Sequence, residues 1–384
     1  MAEINAVILG SGLNALGVLR ALAAHRVHCA VVSHQGKGPA LYSRHVARQL
    51  KSGSSLDPSY LVSALGLQNR QCALFLTEEN DVAAISAQPD QWNTCFRTYL
   101  FCPDLALRLL NKTDCDQLAS DHGAPAPKTA TIMGPADYAR TATLRLPCVL
   151  KPAVRNEAYS QRFKKAYRID DRAELQRLLK EMQQTSVPMV VQEWIEGEDS
   201  DIYFNLLYVG RSGELLRSFV GRKTLCWPPA VGGTAACIAA PEHHSAITQL
   251  SQHFLESMGF RGLIGIEYKR DIRDGAFYLI EPTVYRTDYQ HEVAALNGSD
   301  WLYAAYLDMM QRPVPAQKPY SKSRSWIDYP ATRYSRQEAP PRIDHTRDCA
   351  ATDAHFRLTD PLPGLIHYGG FLWSRIHRHR RPTP

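Results

Sequence analysis

The sequence contains no uninterrupted hydrophobic stretch close to the ~20 residues that a membrane-spanning helix requires. Its N-terminal segment, MAEINAVILGSG, carries Glu3 where a signal peptide has basic residues, and the apolar part of this segment ends at Gly10. We therefore expect neither a membrane span nor an export signal, and the expected location is the cytoplasm.

Cysteine and histidine lack the spacing of a metal motif or of a disulfide scaffold. The nine cysteines are scattered from Cys29 to Cys349, and no two of them form a C-x-x-C pair. This spacing argues against zinc ribbons, thioredoxin-type motifs and disulfide-rich secreted domains. The histidines show no ligand spacing either, so the sequence predicts free thiols in a reducing compartment.

An excess of charge of one sign is missing from most of the chain. The net charge of +6 arises from Pro313 onward, where 12 basic residues face 6 acidic ones, whereas residues 1–312 contain 32 of each. The basic end RIHRHRRP is open to two interpretations, contact with anionic lipid or nucleic acid, or a disordered tail. We favour the tail because no aromatic residues alternate with the basic ones beyond it, and we predict no specific nucleic-acid binding.

What the sequence does contain is the composition of an ordinary globular protein. Hydrophobic residues make up 45% and charged residues 21% of 384, which excludes collagen-like, coiled-coil and wholly disordered chains. This length suggests two or three domains. Ten of the 24 prolines lie in 313–384, and little periodicity is visible there. We therefore expect a proline-rich, basic and irregular C-terminal extension wrapped on the body.

The N-terminal residues predict a strand, a glycine turn, a helix and a second strand. INAVILG and CAVVS are short apolar strands, and LGVLRALAAHRV has the apolar spacing of a helix. Such a βαβ opening favours a parallel sheet. The turn GSGLNALG has Ala15 where the dinucleotide-binding pattern G-x-G-x-x-G has its third glycine, and no acidic residue follows the second strand. NAD binding is therefore a minor alternative, and we expect this turn to shape a substrate cleft.

A hairpin near residue 274 brings two acidic residues together. If its turn is centred on Asp274, Glu267 lies directly opposite Glu281 on the same face, where the Cβ atoms of paired residues are about 4.5–5.5 Å apart. The bland alternative is two glutamates on a solvated face, or a register shifted by one residue. Both flanking segments are apolar, however, and two half-buried carboxylates need a cation. Mg²⁺ held by carboxylates and substrate phosphates is the common solution.

Three further features are weak when taken singly. Lys151 ends the apolar strand LPCVLKPA, as a phosphate-contacting lysine does, but a solvated strand end explains it equally well. Lys112 is weaker still. The segment QEWIEGED ends a buried strand and offers backbone edges, followed by Asp199, which is within reach of a ribose hydroxyl; alone it is simply an acidic strand exit.

Taken in order, the segments NKTDCDQLASDHGAPAPKT, LPCVLKPA, VVQEWIEGED and GIEYKRDIRDGAFYLIEPTVYRT resemble the successive signatures of ATP-grasp enzymes. The resemblance covers roughly residues 111–297 and is closest to carboxylate–amine ligases of the D-alanine–D-alanine and D-aspartate ligase type. It implies an α/β protein: a Rossmann-like N-terminal domain (1–108) and an α+β ATP-grasp domain (109–312) with a lid subdomain at about 130–195, followed here by the extension at 313–384.

The resemblance also implies roles for individual residues. Lys112 and Lys151 would contact ATP phosphates. Gln192, Glu193 and Ile195 would line the adenine, and Asp199 would bind the ribose. Glu267, Glu281 and Thr283 would bind Mg²⁺. Arg286 would stabilise the acyl phosphate and the tetrahedral intermediate, and Lys223, beside Arg222, would add positive charge for the transferred phosphate.

Two departures from the family pattern bear on function. The usual Glu-x-Asn ending is Glu281-Pro282-Thr283 here, which puts the second metal position in question. The loop after Lys151 lacks the glycines that often cover phosphates, and its basic residues are either substitutes for them or an ordinary solvated run. These residues are Arg155, Arg162, Lys164 and Lys165.

The sequence thus predicts an enzyme, an ATP- and Mg²⁺-dependent ligase that joins a small-molecule carboxylate to an amine. A non-catalytic ATP-binding regulator and an NAD-dependent oxidoreductase are the alternatives. The resemblance also suggests a homodimer.

Overall fold

The computed structural model describes residues 3–53, 56–153, 157–164, 166–339, 341 and 343–378. The N-terminal part contains four parallel strands, β1 (Ala6–Leu9), β2 (Cys29–Ser33), β3 (Val46–Lys51) and β4 (Ala73–Leu76). They form one sheet in the order β3-β2-β1-β4. Helix α1 (Leu13–Ala23) connects β1 to β2, so the βαβ unit predicted from the sequence is confirmed. Strands β1, β2 and β4 are buried along their whole length, as is typical of parallel strands covered on both faces.

The helices of this region lead to Lys112, the first basic residue of the predicted site. Helix α2 (Pro58–Ala64) lies between β3 and β4, and the helices after β4 are α3 (Glu79–Ser86), α4 (Pro89–Cys95), α5 (Pro103–Leu110) and α6 (Lys112–Asp121). The Asn111 side chain accepts hydrogen bonds from the backbone N–H groups of Thr113 and Asp114 and so caps the N-terminus of α6. This cap fixes Lys112 as the first residue of the helix.

A second, antiparallel sheet has its own hydrophobic core. It contains β5 (Thr129–Ile132), β6 (Cys148–Pro152), β7 (Tyr167–Ile169) and β8 (Met189–Glu193) in the order β5-β8-β6-β7. Helices α7 (Glu157–Arg162) and α8 (Arg172–Met182) accompany it. Asp171 followed by Glu174 three positions on is a capping-box pattern that predicts the N-cap of α8, and it is confirmed because the Asp171 carboxylate accepts a hydrogen bond from Glu174 N. The role of this region as a lid stays a prediction, as do the domain boundaries.

The third sheet is the largest. Its first five strands are β9 (Ile202–Val209), β10 (Leu215–Trp227), β11 (Gly233–Ala239), β12 (Gly262–Arg270) and β13 (Phe277–Val284), and helices α9 (His244–Ser257), α10 (Glu292–Leu296) and α11 (Trp301–Met309) belong to the same region. These strands are antiparallel in the order β13-β12-β9-β10-β11. The strands β9–β10 and β12–β13 form two hairpins, and the second is the hairpin predicted near residue 274.

The C-terminal residues are more regular than the sequence suggests, and the expectation of an irregular extension is wrong. Strands β14 (Arg324–Ile327) and β15 (Ala350–Asp353) extend the large sheet beyond β11, and helices α12 (Tyr329–Glu338) and α13 (Leu362–Arg378) follow them. Pro330 and Pro363 lie in the first turns of these two helices, where the fixed φ of proline is compatible with a helix and its missing N–H is not needed.

A buried ion pair connects the C-terminal segment to α1. Asp360 is 1% exposed. Its carboxylate accepts hydrogen bonds from Arg20 Nε at 3.0 Å, Ser43 Oγ at 2.8 Å and Arg44 N at 2.9 Å. Burial raises the pKa of Asp360, but these donors outweigh burial and the pKa is lowered.

No helix in the described ranges is both long and apolar enough to cross a membrane.

We expect the substitution Asp360→Ala to lower the free energy of unfolding at pH 7 by about 3 kcal/mol, because it leaves the buried Arg20 without this partner. A carboxyl group with a lowered native pKa stabilises the fold above its unfolded pKa of about 4, and this contribution disappears as the pH falls through the native value. Urea unfolding at pH 7 and at about pH 3 measures both effects. The exposed Glu214→Ala variant is the control, and equal stability of the Asp360→Ala and Glu214→Ala variants at pH 7 would contradict the assignment.

Candidate functional site

The hairpin β12–β13 places two carboxylates side by side. Glu267 pairs directly with Glu281, so the predicted register is confirmed. This pairing depends on a β-bulge that the sequence does not reveal. The turn is closed by the hydrogen bond from Asp271 N to Ala276 O, which alone would shift the pairing by one residue. A bulge at Ile280 compensates, since Glu267 pairs with Glu281 while Tyr268 pairs with Leu279.

Lys223 on β10 supplies a positive charge at this pair. Its Nζ lies 2.6 Å from Glu267 Oε1, and the lysine side chain is 5% exposed. The expectation of two half-buried carboxylates that need a metal cation is therefore wrong in two respects, because Glu281 is exposed and an ammonium already contacts Glu267. Burial lowers the pKa of Lys223, but the carboxylate of Glu267 outweighs burial and the pKa is raised, so Lys223 stays charged.

Negative charge remains concentrated around Glu267 despite this lysine. Asp288, which the sequence analysis missed, is joined to Glu267 through Gln290, whose Nε2 donates to Glu267 Oε1 at 3.2 Å and to Asp288 Oδ2 at 3.3 Å. The pKa of Glu267 is raised, first by burial and then by Asp288 and Glu281, although Lys223 opposes both. A carboxylate that is destabilised by its neighbours is one that gains from an added cation.

A small cavity adjoins these acids. Its polar lining includes Thr283 and Arg286 beside Glu267, and the full lining is Phe204, Leu206, Gly265, Ile266, Glu267, Thr283, Arg286, Thr287, Asp288, Gln290 and Trp301. Thr283 pairs with Gly265 on β12. It stands two residues after Glu281 on β13 and therefore lies on the same face of that strand as Glu281. The predicted metal ligands and the predicted catalytic arginine are thus brought to one place.

Arg286 extends towards the N-terminal part of the protein. Its Nη2 donates to Glu79 Oε2 at 3.3 Å, and its Nη1 donates to Thr287 O at 3.2 Å. The preceding residue, Tyr285, has a φ of 52°, a left-handed conformation that costs a bulky residue about 1–2 kcal/mol. The Tyr285 hydroxyl holds this conformation, because it donates to Arg261 O and accepts from Cys102 N, each at 2.8 Å.

Lys112 and Lys151 both lie near a further acidic residue, Asp116. Lys151 Nζ donates to Gln192 Oε1 at 3.2 Å, and Lys112 Nζ donates to Pro152 O at 3.3 Å. Both lysines act on Asp116, whose pKa is nevertheless raised by burial. Burial, Asp116 and Glu281 raise the pKa of Cys115 to about 12 while Lys151 lowers it, so the charges of Lys151 and Glu281 both act on this thiol.

The segment predicted to line adenine follows the exit of β8. Gln192 is 3% exposed and donates from Nε2 to Thr129 Oγ1 at 3.0 Å; Ile195 is 5% exposed. Glu193 accepts a hydrogen bond from Arg145 N at 2.9 Å. The backbone N–H groups of Glu193 and Trp194 already donate to Lys128 O and Pro147 O, the carbonyl groups directly before β5 and β6. The adenine role of this segment stays a prediction.

Asp199 accepts hydrogen bonds from the end of β10 and from the loop that follows it. Its two carboxylate oxygens accept hydrogen bonds from Cys226 N and Ala230 N, each at 2.8 Å. Each oxygen keeps a second lone pair that is able to accept from a hydroxyl group, so the ribose role is compatible with this geometry and stays a prediction.

A buried lysine that the sequence analysis missed lies close to Asp199. Lys269 is 6% exposed, and its Nζ is 4.6 Å from the centre of the Trp194 ring. Burial lowers the pKa of Lys269, and Asp199 opposes this shift. The signal was present in the sequence, because Lys269 stands two residues after Glu267 on a strand and therefore on the same face.

The loop after Lys151 has four basic residues of interest. Two of them, Arg155 and Lys165, lie outside the described residues, whereas Arg162 and Lys164 are exposed.

No protein-family model matches the chain. A D-aspartate ligase of Enterococcus faecium (strain Aus0004) is 25% identical over 295 residues, which are 72% of this chain and 69% of that protein.

Solved structures extend the similarity over more of the chain. The biotin carboxylase domain of 2-oxoglutarate carboxylase from Hydrogenobacter thermophilus, in complex with MgADP, matches with a TM-score of 0.64 and 12% identity over 85% of this chain and 74% of that chain. The N5-carboxyaminoimidazole synthetase of Staphylococcus aureus with ADP matches with 0.63 and 12% over 82% and 80%. The L-amino acid ligase of Bacillus licheniformis matches with 0.58 and 16% over 80% and 75%. At these identities the structures establish a shared fold.

We expect the substitution Lys223→Met to lower the free energy of unfolding at pH 7 by about 3–5 kcal/mol, because it leaves Glu267 buried without its ammonium. A carboxyl group with a raised native pKa binds its proton more tightly in the folded state, so the loss shrinks as the pH falls from 7 towards 5. Urea unfolding at both pH values measures this change.

The control for this measurement is Lys180→Met, which removes an exposed lysine from α8. A Lys223→Met loss that is as small as the control's, or that grows on acidification, would contradict the Lys223–Glu267 pairing.

Proposed function

We propose that this chain, which has the ATP-grasp fold and resembles carboxylate–amine ligases, is an ATP- and Mg²⁺-dependent ligase. The γ-phosphate of ATP passes to a substrate carboxylate, which gives an acyl phosphate and ADP. A substrate amine then attacks the acyl carbon, so that a C–N bond forms, the C–O bond to phosphate breaks, and phosphate and a proton leave. The product is an amide.

The observation that carries this proposal is the acidic group around Glu267. Glu267 and Glu281 are paired across two strands, Asp288 shares a hydrogen-bond donor with Glu267, and the pKa of Glu267 is raised even with Lys223 in contact. Carboxylates of this arrangement fit Mg²⁺, with Thr283 offering a neutral oxygen. When bound, Mg²⁺ would offset the negative charge of the phosphate oxygens. The relatives with ADP and MgADP support this cofactor choice.

The nucleotide is proposed to lie between the second and the third sheet. Lys112 and Lys151 would contact phosphate oxygens, since both ammonium groups act on Asp116 close to the hairpin that carries Glu281. The adenine would lie against the exit of β8, near Gln192, Glu193 and Ile195. The buried Lys269 is a further cation in this region that fits an anionic nucleotide. These groups position ATP rather than react with it.

Arg286 is proposed to stabilise the acyl phosphate and the oxyanion that forms when the amine attacks. A guanidinium held in place before the reaction stabilises this developing charge without reorganisation. Arg286 lines the same cavity as Glu267, and its contacts with Glu79 and Thr287 fix its orientation.

The Rossmann-like assignment of the N-terminal sheet belongs to the same proposal. Asn14, in the first turn of α1, donates from Nδ2 to Thr77 O and to Thr287 O, both at 3.1 Å. The start of α1 therefore contacts the residue after Arg286, and the glycine turn that leads into this helix is proposed to border the acceptor-substrate cleft rather than to bind NAD. A cytoplasmic location and a homodimer remain part of the proposal; light scattering of the purified protein tests the dimer.

The relatives also suggest a class of substrate. Two of them are named for amino acids, D-aspartate in one case and L-amino acids in the other. We therefore propose that at least one of the two substrates, the carboxylate or the amine, is an amino acid.

We expect Glu281→Gln to lower ATP- and Mg²⁺-dependent ADP release by about 10²–10³-fold, because it replaces a charged carboxylate that would hold Mg²⁺ at the phosphates by a neutral amide. A coupled ADP-release screen over pooled amino acids, peptides and sugar-linked carboxylates first finds the substrates and then measures the variant. The exposed Glu214→Gln variant is the matched control and should keep full turnover.

Two outcomes would contradict the proposal in different ways. Unchanged ADP release by Glu281→Gln would remove the metal assignment. Stabilisation of the wild-type protein by ATP without ADP release from any pool would favour a non-catalytic ATP-binding protein, the alternative that Thr283 in place of the usual asparagine supports.

A further inference from the structure

Three side chains with metal-binding atoms converge at the edge of the N-terminal sheet. His34 directly follows β2, Glu78 follows β4 and precedes α3, and Asp81 lies in the first turn of α3. The carboxyl ends of parallel strands meet at one edge of a sheet, so the loops after β2 and β4 face each other across the turn that follows β1. This group is separate from Glu267 and Glu281.

The ligand atoms are already close together. His34 Nε2 lies 2.9 Å from Asp81 Oδ1, and one ligand atom from each of the three residues lies within 4.8 Å of the other two. Glu78 is exposed, so rotation of its side chain is able to close the remaining distance. Zinc bound by nitrogen and oxygen at about 2.0–2.2 Å needs ligand atoms only slightly further apart than the His34–Asp81 contact.

Asp81 has an unsatisfied atom in this group. Its side chain is 4% exposed, and Oδ2 has no hydrogen-bond partner among the described residues. A buried carboxylate oxygen without a partner is unfavourable, so an unpaired oxygen beside two other ligand atoms points to a cation-binding site.

The orientation of His34 supports the same conclusion. Its Nδ1 lies 3.3 Å from Gly53 O and 3.4 Å from Ser52 Oγ. The nearer partner is a carbonyl oxygen, which only accepts, so this contact orients the ring with Nε2 towards Asp81 and leaves Nε2 as the nitrogen placed to bind a metal ion. A backbone carbonyl on the second nitrogen is also the usual arrangement behind a metal-binding histidine.

We propose that His34, Glu78 and Asp81 bind a divalent first-row transition-metal ion of the Zn²⁺ class. One imidazole and two carboxylates suit such an ion, whereas Mg²⁺ prefers oxygen ligands alone. Three protein ligands leave a coordination position for water or a substrate group. The sequence gives no spacing motif for this site, because its ligands come from two strand ends that are distant along the chain.

The consequence of the proposal is a link between two loops around the β1 turn. A Cβ atom placed on Gly10 would clash with Thr77 Oγ1 and lie 3.1 Å from Glu78 Oε1, so the glycine lets the β1 turn pass close to Thr77 and Glu78. Glu79, the partner of Arg286, directly follows Glu78. The ion would therefore order the N-terminal side of the cleft. This inference does not rest on the proposed ligase activity.

The test is metal binding by the full-length protein after removal of metal with a chelator. We expect one equivalent of Co²⁺ to produce the visible absorption of a bound ion, and Zn²⁺, but not excess Mg²⁺, to displace it. His34→Ala and Asp81→Asn should abolish this absorption. His253→Ala, which removes an exposed histidine of α9, and Glu281→Gln should both keep it.

A second readout guards against variants that fail to fold. Glu78→Gln changes an exposed side chain and should weaken Zn²⁺ binding by at least about tenfold without lowering the melting temperature of the metal-free protein. Zn²⁺ should raise the melting temperature of the wild type and less so that of the variant. Absence of Co²⁺ binding, displacement of Co²⁺ by Mg²⁺, or full binding by folded His34→Ala would each overturn the proposal.

Discussion

The opposition of Glu267 and Glu281 on neighbouring strands is the constraint on which the rest of the site depends. Like charges at this distance repel, so the register of the hairpin and the ammonium of Lys223 must hold them together. Lys223 contacts Glu267 and leaves the pKa of that carboxylate raised. The protein therefore maintains a site of concentrated negative charge at a cavity, which is more useful for binding a cation with phosphates than for stabilising the fold.

In the proposed site, the three sheets contribute different groups. The large sheet carries the acids and Lys269, the second sheet carries Lys151, and the N-terminal part approaches Arg286 through Glu79. Hydrogen bonds and ion pairs cross these boundaries, for example from Asn14 to Thr287. Such an arrangement suits phosphoryl transfer, in which the protein mainly positions the reactants and offsets charge.

Local patterns predicted much of this architecture. The β12–β13 hairpin, the Asp171 cap and the first βαβ unit follow from turn residues, capping residues and apolar periodicity, all of which act over short stretches of sequence. The Lys223–Glu267 contact, Asp288 and the buried environment of Lys269 depend on pairing between distant strands, which no local pattern encodes. The C-terminal strands β14 and β15 were missed for the same reason. Helices α12 and α13 were missed because the prolines in their first turns resemble those of an irregular segment.

The most direct test of the central claim is a crystal structure of the protein with ADP and Mn²⁺ in place of Mg²⁺, with anomalous scattering to locate the metal. We predict an anomalous peak between the carboxylates of Glu267 and Glu281, within coordination distance of both and of the phosphates. Carboxylates that point apart, with bound nucleotide but no metal peak between them, would contradict this account.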